Sequence, residues 1–320
     1  MPPGSLSPRP LGSSGMDVSA LALGSWRTFE RLPAEDGSAI LRAARDEGIT
    51  FFDDARYDDE TGHAPIPTGY SEVLFGELFR GAGLRREDTV VSNKLWWEFW
   101  PEQSAAAELD SSLRRMRFDH IDLIYANPPP AGLPVADLVA ATAGLVTAGK
   151  ARAWALVNWP AGQCAEAVQA AAELGVAPPC AIQLPYSLVR RDWVEDPVMT
   201  GALTAAGAGV IASFCLAGGV LTGKYRSGPA TGRHAGSLAG PELAPALAAA
   251  GELAELAGQL GTTPAALALL FPLASPGVTS VLFGATSPRQ LRENCAAIGL
   301  SDRIGADELA RLRQIGVPAG

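Results

Sequence analysis

Cysteine, histidine and positive charge are scarce in this chain. Its four cysteines, Cys164, Cys180, Cys215 and Cys295, are scattered through 320 residues with neither CxxC nor zinc-finger spacing. A chain of this length has core enough to fold without disulfide staples, so they read as reduced thiols of a cytoplasmic protein. Three histidines give no HExxH and no paired ligand spacing, and no metal is expected. The 25 lysines and arginines face 34 acidic residues, a net charge of −9. That argues against a nucleic-acid binder, whose affinity comes from many cations on phosphates, and any anionic ligand must meet a local basic cluster. Residues 197–223 carry no charge, but glycines at 201, 207, 209, 218, 219 and 223 break the run. A helix, strand and loop in a soluble core fit it better than a membrane span. The first ten residues, MPPGSLSPRP, have neither the basic nor the apolar region of a signal peptide, so export is not expected. GxGxxG after a strand and GxSxG are also missing. GGVLTGKY at 218–225 is no phosphate loop, because Tyr225 stands where Ser or Thr must reach magnesium.

What is present is organised around residues 48–57, GITFFDDARY. Four β-favouring residues end abruptly in two carboxylates, an arginine and a tyrosine, as a buried strand would deliver polar groups at its C-terminal mouth. Two later stretches repeat the pattern: TVVSNK ends on Lys94 and HIDLIYAN on Asn127. A fold that gathers these strand ends joins a carboxylate, a phenol, an ammonium and an amide in one pocket, a set suited to carbonyl reduction.

The spacing predicts strands at 18–23, at the segment ending on Asp53, and at 89–93, 120–126, 151–157, 180–184, 209–213 and 279–283. Helices are predicted at 36–46, 70–79, 102–115, 135–147, 162–174, 197–205, 288–298 and 306–315, with Ala-rich helices in 241–273. Eight short apolar strands alternating with helices indicate an α/β (β/α)8 TIM barrel, with every strand C-terminus on one face and long loops there. A turn at 13–15 precedes the first strand. Residues 1–8 read as a disordered lead and 9–320 as one domain, whose oligomeric state the sequence leaves unknown. The polar insert 58–69, directly after Tyr57, is expected to overhang the barrel mouth.

A tyrosine pKa of about 10 is high for proton exchange near neutrality, and an adjacent ammonium lowers it. Lys94 is the expected cation, Asp53 the group holding it, and Asn127 an amide donor to a carbonyl oxygen as charge develops there. The bland alternative for each residue is an ordinary strand-end polar group. Tyr70 is a second, weaker acid candidate. Trp96 and Trp97, in LWWEFW, either wall a substrate pocket for apolar or aromatic carbonyl compounds or pack a lid. His63 in the insert reads as a solvated loop residue and His120 as structural.

GITFFDDA, SNK, LDSSLRRMRFDHIDLIYANPP, GKARAWALVNW, LAGGVLTGKY and VLFGATSPRQLRENCAAI together resemble the aldo-keto reductase superfamily. The resemblance runs over residues 9–315, nearest the branch containing voltage-gated potassium-channel β subunits. It implies a barrel with an N-terminal β-hairpin cap, NADPH or NADP+ as cofactor, and a small-molecule carbonyl substrate without nucleic-acid or membrane partners. Asp53, Tyr57 and Lys94 match the family's catalytic aspartate, tyrosine and lysine, and Asn127 stands at the histidine position. Asn158 and Gln183 match residues holding the carboxamide; Ser25, Trp26 and Asp53 lie near the cofactor, and Trp26 also near substrate. Ser213, Phe214, Cys215, Leu216, Ala217, Gly218 and Lys224 match the pyrophosphate loop. Gly284, Ala285, Thr286, Gln290, Glu293 and Asn294 match the adenosine-phosphate site, with Arg233 as a looser match. Four departures stand out: four residues rather than five from Asp53 to Tyr57, Ser213 where an aromatic stacks on nicotinamide, Val157 for a serine, and Asn127 for histidine. A regulatory subunit sensing NADPH/NADP+ with little turnover is the alternative that the resemblance allows.

Overall fold

The computed structural model describes residues 7–66, 68–225 and 240–317. Eight parallel strands close into a barrel: β3 (Leu21–Gly24), β4 (Phe51–Asp53), β5 (Val90–Leu95), β6 (Ile121–Ala126), β7 (Ala151–Val157), β8 (Ala181–Pro185), β9 (Gly209–Ser213) and β10 (Val278–Phe283), with β10 pairing back onto β3. The expected (β/α)8 barrel is therefore the observed fold. Helices α1 (Ala34–Asp46), α2 (Tyr70–Gly81), α3 (Ala105–Met116), α4 (Val135–Thr147), α5 (Ala161–Leu174), α6 (Asp192–Glu195) and α7 (Pro197–Ala206) follow the early strands. The later ones are α8 (Ala244–Leu260), α9 (Pro264–Leu273), α10 (Pro288–Leu300) and α11 (Ala306–Gln314). Among the described residues no single helix is long and apolar enough to cross a membrane.

Two cores follow from the period-two alternation of the strands. Outward residues such as Phe52, Val91, Ile124 and Trp154 pack against the helices. Inward residues such as Phe51, Val90, Leu123, Ala153 and Ile211 fill the barrel.

The predicted strand at 18–23 is two strands. β2 (Asp17–Ser19) pairs antiparallel with β1 (Pro8–Pro10) in a hairpin, and the chain then crosses Ala20 into β3. Since β1 includes Pro8, that residue belongs to the folded hairpin rather than to the lead; residues 1–6 lie outside those described. Leu11, Met16 and Val18 of the hairpin join the inner core, so the cap plugs the end of the barrel opposite the strand C-termini. Helix α3 starts at Ala105 rather than 102 because Ser104 caps it, accepting the Ala107 N–H. Strand β5 runs two residues past the predicted 93, which carries Lys94 inside it.

The hairpin turn meets the barrel through backbone alone. Gly12 has φ +50°, and a Cβ there would lie 2.0 Å from the Cys180 carbonyl oxygen and 2.8 Å from that of Gly207. Gly12→Ala is expected to destabilise the fold by at least about 1–3 kcal/mol, the cost of a strained left-handed position before the clash is added. A lowered midpoint of chemical denaturation checks this.

Candidate active site

The barrel register places the polar residues in one layer. Asp53 pairs with Ser92 across β4 and β5, and Lys94 stands two residues further along β5, on the same inward face. Lys94 Nζ lies 2.6 Å from Asp53 Oδ2 and donates a 2.9 Å hydrogen bond to the Tyr57 hydroxyl. Asp53 is 2 % exposed and Lys94 5 %, so the pair is held out of water. Ser92 Oγ donates to Asp53 Oδ1 at 2.7 Å, and Gln183 Nε2 reaches the same oxygen at 3.3 Å. The Lys94 ammonium also faces the rings of Tyr57 and Tyr125, 5.4 and 5.6 Å from their centroids.

Burial pulls the Lys94 amine down, but Asp53 and Tyr57 outweigh it and leave its pKa above the ordinary lysine value. Burial raises the Tyr57 phenol, and the pull of Lys94, opposed by Asp53, does not reverse this. The expectation of a lowered phenol pKa is thus corrected: desolvation outweighs the neighbouring cation. Tyr57 holds its proton through neutral pH.

Asp54, next in sequence, differs sharply from Asp53. It is fully buried, Ser25 Oγ donates to its Oδ1, and Oδ2 has no partner. Burial, with the charge of Glu72, pushes its pKa well above the ordinary carboxylate range.

A cavity of about 880 Å³ opens on the strand C-termini, lined by Asp53, Tyr57, Lys94, Asn127, Trp26, Trp96, Asn158 and Gln183. Ser213, Phe214, Cys215, Leu216, Gly218, Lys224, Gly284, Ala285, Thr286 and Gln290 extend it. Among the described residues its cations are Arg27, Arg31, Lys94, Arg190 and Lys224, against the single carboxylate of Asp53. An acidic chain has therefore gathered a basic cluster at one site. Trp26 forms a tilted pair with Phe214 (5.4 Å) and lies 6.4 Å from Tyr57, whose ring meets Trp96 edge-on at 6.0 Å. Phe214 has φ +55° and is 45 % exposed. The insert reaches this rim, where Glu60 pairs with both Arg27 and Arg31.

Several expected residues sit elsewhere. Trp97 is buried in the outer core and donates its indole N–H to the Asn127 carbonyl; one residue beyond Trp96, it faces the other way and does not line the cavity. Ser25 is turned to Asp54, and Ala217 does not line the cavity. Glu293 is also outside it, ion-paired with Arg289 at 3.0 Å one helical turn away. Asn294 is 2 % exposed with Nδ2 unpartnered. Asn127 Nδ2 donates to the Leu95 carbonyl at 3.0 Å, so one amide hydrogen is already engaged. Tyr70 and His63 are not cavity residues. Arg233 lies outside the described residues. Arg27, Arg31, Arg190 and Trp193 line the cavity without having been singled out in the sequence, because no strand-end pattern marks them. Among the described residues no cluster of His, Cys, Asp or Glu could hold a metal.

The sequence pattern of the aldo/keto reductase family matches residues 20–316. The chain belongs to this family. It is also similar to two plant proteins named "Probable voltage-gated potassium channel subunit beta". One, from Oryza sativa subsp. japonica, is 34 % identical over 303 residues and covers 90 % of each chain. The other, from Arabidopsis thaliana, is 32 % identical over 320 residues and covers 95 % of each. Aldo/keto reductases are NADPH-dependent oxidoreductases as a family.

Lys94→Met would leave Asp53 buried without its cation, at an expected cost of about 3–5 kcal/mol. The double variant with Asp53→Asn should recover much of that loss in equilibrium unfolding. For Asp54 the folded pKa is raised, so the unfolded state releases the proton first and stability falls as pH rises above about 3.8, the ordinary value. Asp54→Asn should therefore gain stability relative to the parent chain as pH goes from 4 to 7. Denaturant midpoints measured across that range check the sign.

Proposed function

We propose that the protein reduces an aldehyde or ketone to an alcohol, using NADPH, with Tyr57 as proton donor and apolar or aromatic carbonyl compounds as substrates. The observation that carries this reading is the chain of contacts from Asp53 through Lys94 to the Tyr57 hydroxyl, at 2.6 and 2.9 Å, at the floor of a cavity rich in cations. A protonated phenol donates to the carbonyl oxygen, and the Lys94 ammonium stabilises the phenolate left behind. Asp53, fixed by Ser92 and Gln183, keeps that ammonium aimed at the phenol. Asn127 has a second amide hydrogen for the same oxygen. Trp26, Trp96 and Phe214 offer aromatic surface to the substrate and exclude water from it.

The residues present fit a dinucleotide carrying phosphates. Among the described residues five cations and one carboxylate line the cavity, and Gly219, at φ +91°, lies so close to Lys224 that a Cβ would come within 3.0 Å of its Nζ. Asn158 and Gln183 would hold the carboxamide, the 213–218 loop and Lys224 the pyrophosphate, and Thr286 and Gln290 the 2′-phosphate. When bound, the reduced nicotinamide supplies the hydride to the carbonyl carbon. The four buried, unpaired thiols are in keeping with a reducing compartment such as the cytoplasm.

A second reading, a regulatory subunit that reports the NADPH/NADP+ state to a partner, is favoured by the committed Asn127 amide and by the names of the plant relatives. A panel of aromatic and aliphatic aldehydes separates the two, since a sensor binds NADPH yet turns nothing over at a useful rate. For the reductase, Tyr57→Phe is expected to lower kcat by at least about 10²-fold while NADPH binding, followed by fluorescence, stays intact. Full activity in that variant would remove Tyr57 as the acid.

A further inference from the structure

Tyr57 does not sit on a strand. β4 ends at Asp53, and the chain must turn within the next four residues to bring the phenol back over Lys94. It does so by a three-residue turn in which the Tyr57 N–H donates to the Ala55 carbonyl at 2.8 Å. Such a turn, closed by one local bond, has little to hold it. The holding groups come from across the insert. Ser71, the second residue of α2, accepts the same Tyr57 N–H at 2.9 Å and donates its own hydrogen to the Ala55 carbonyl at 2.7 Å. One hydroxyl therefore bridges both ends of the turn. From the other side Arg56, 8 % exposed, donates to Thr68 Oγ1 at 2.8 Å and pairs with Glu98.

We propose that Ser71 is a positioning residue for Tyr57: its hydroxyl fixes the turn that carries the phenol to within hydrogen-bond reach of Lys94. Ser71 touches neither the cavity nor the reacting atoms, and it acts through the backbone at 55 and 57. It is not needed as a helix cap. The Glu72 and Val73 N–H groups at the start of α2 already reach the Gly69 carbonyl, so removing the hydroxyl loosens the turn more than the helix. The local bonds matter catalytically because a phenol displaced by about 1 Å loses most of its advantage as a proton donor.

The inference rests on Tyr57 as the acid, and its test has an arm that does not. In the full chain, Ser71→Ala is expected to lower kcat by about ten-fold or more, with KM, NADPH affinity and thermal midpoint little changed. Ser71→Thr, which keeps the hydroxyl, should restore kcat. A crystal structure of Ser71→Ala should show the Tyr57 hydroxyl out of hydrogen-bond reach of Lys94. An unchanged kcat overturns the proposal, as does a crystal structure with the phenol in place. Equal losses of NADPH binding and thermal stability in both Ser71 variants would make the residue merely structural and overturn it too. If the parent chain reduces no carbonyl compound, the reading of Tyr57 as the acid fails, and the crystal structure still decides whether Ser71 sets its place.

Discussion

The site depends on one buried ion pair. An ammonium and a carboxylate taken out of water cost several kcal/mol each in lost hydration, and that cost is offset only where the pair is close and every remaining lone pair and proton is answered. Here the answer is nearly complete. Asp53 takes Lys94 on one oxygen and Ser92 with Gln183 on the other, while Lys94 gives a second hydrogen to Tyr57 and faces two aromatic rings. These partners come from β4, β5, β6, β8 and the turn after β4, so satisfying the pair requires a closed barrel in the correct register. A one-residue slip between β4 and β5 would turn Lys94 outward and strand Asp53.

Adjacent aspartates at a strand end have been given opposite surroundings by the same alternation. Asp53 points into the barrel and finds a cation at 2.6 Å. Asp54 has the Ser25 hydroxyl on one oxygen and the charge of Glu72 against it, and burial outweighs the groups that favour its charged form. For Tyr57, loss of hydration and the charge of Asp53 outweigh the pull of its lysine, so the phenol stays protonated, which suits a donor better than a base.

Much of this was legible in the residues. The eight strands and their helices followed from apolar period and glycine punctuation, and 135–147, 151–157 and 209–213 match α4, β7 and β9 residue for residue. Asp53, Tyr57, Lys94 and Asn127 were readable because each closes a strand or the turn after it, where a parallel barrel exposes polar groups. What the text conceals is direction. Trp96 and Trp97 are neighbours in sequence, and only the coordinates turn one into the cavity and the other into the core. Ser25 and Glu293 were expected at the cofactor, and their partners within the protein are Asp54 and Arg289. The Ser25 partner lies 29 residues away in sequence, where no local pattern reaches it, whereas the Arg289–Glu293 pair is an ordinary helical i,i+4 contact that the sequence already contained.

The charge of the whole chain and the charge of the site point in opposite directions, and the opposition is informative. A net negative charge keeps a chain from binding polyanions indiscriminately, since long-range attraction is absent. Attraction is then confined to the cavity, where low-dielectric walls strengthen the field of Arg27, Arg31, Arg190 and Lys224. Two of those arginines are already tied to Glu60 of the insert, so an anion entering beside them must compete with a carboxylate that belongs to the protein. Arg190, stacked 5.6 Å over the Trp193 ring, and Lys224 face no such competition among the ion pairs of the described residues. The net effect is a graded rim, in which the insert tempers the charge beside the phenol and leaves that on the side toward Lys224 untempered.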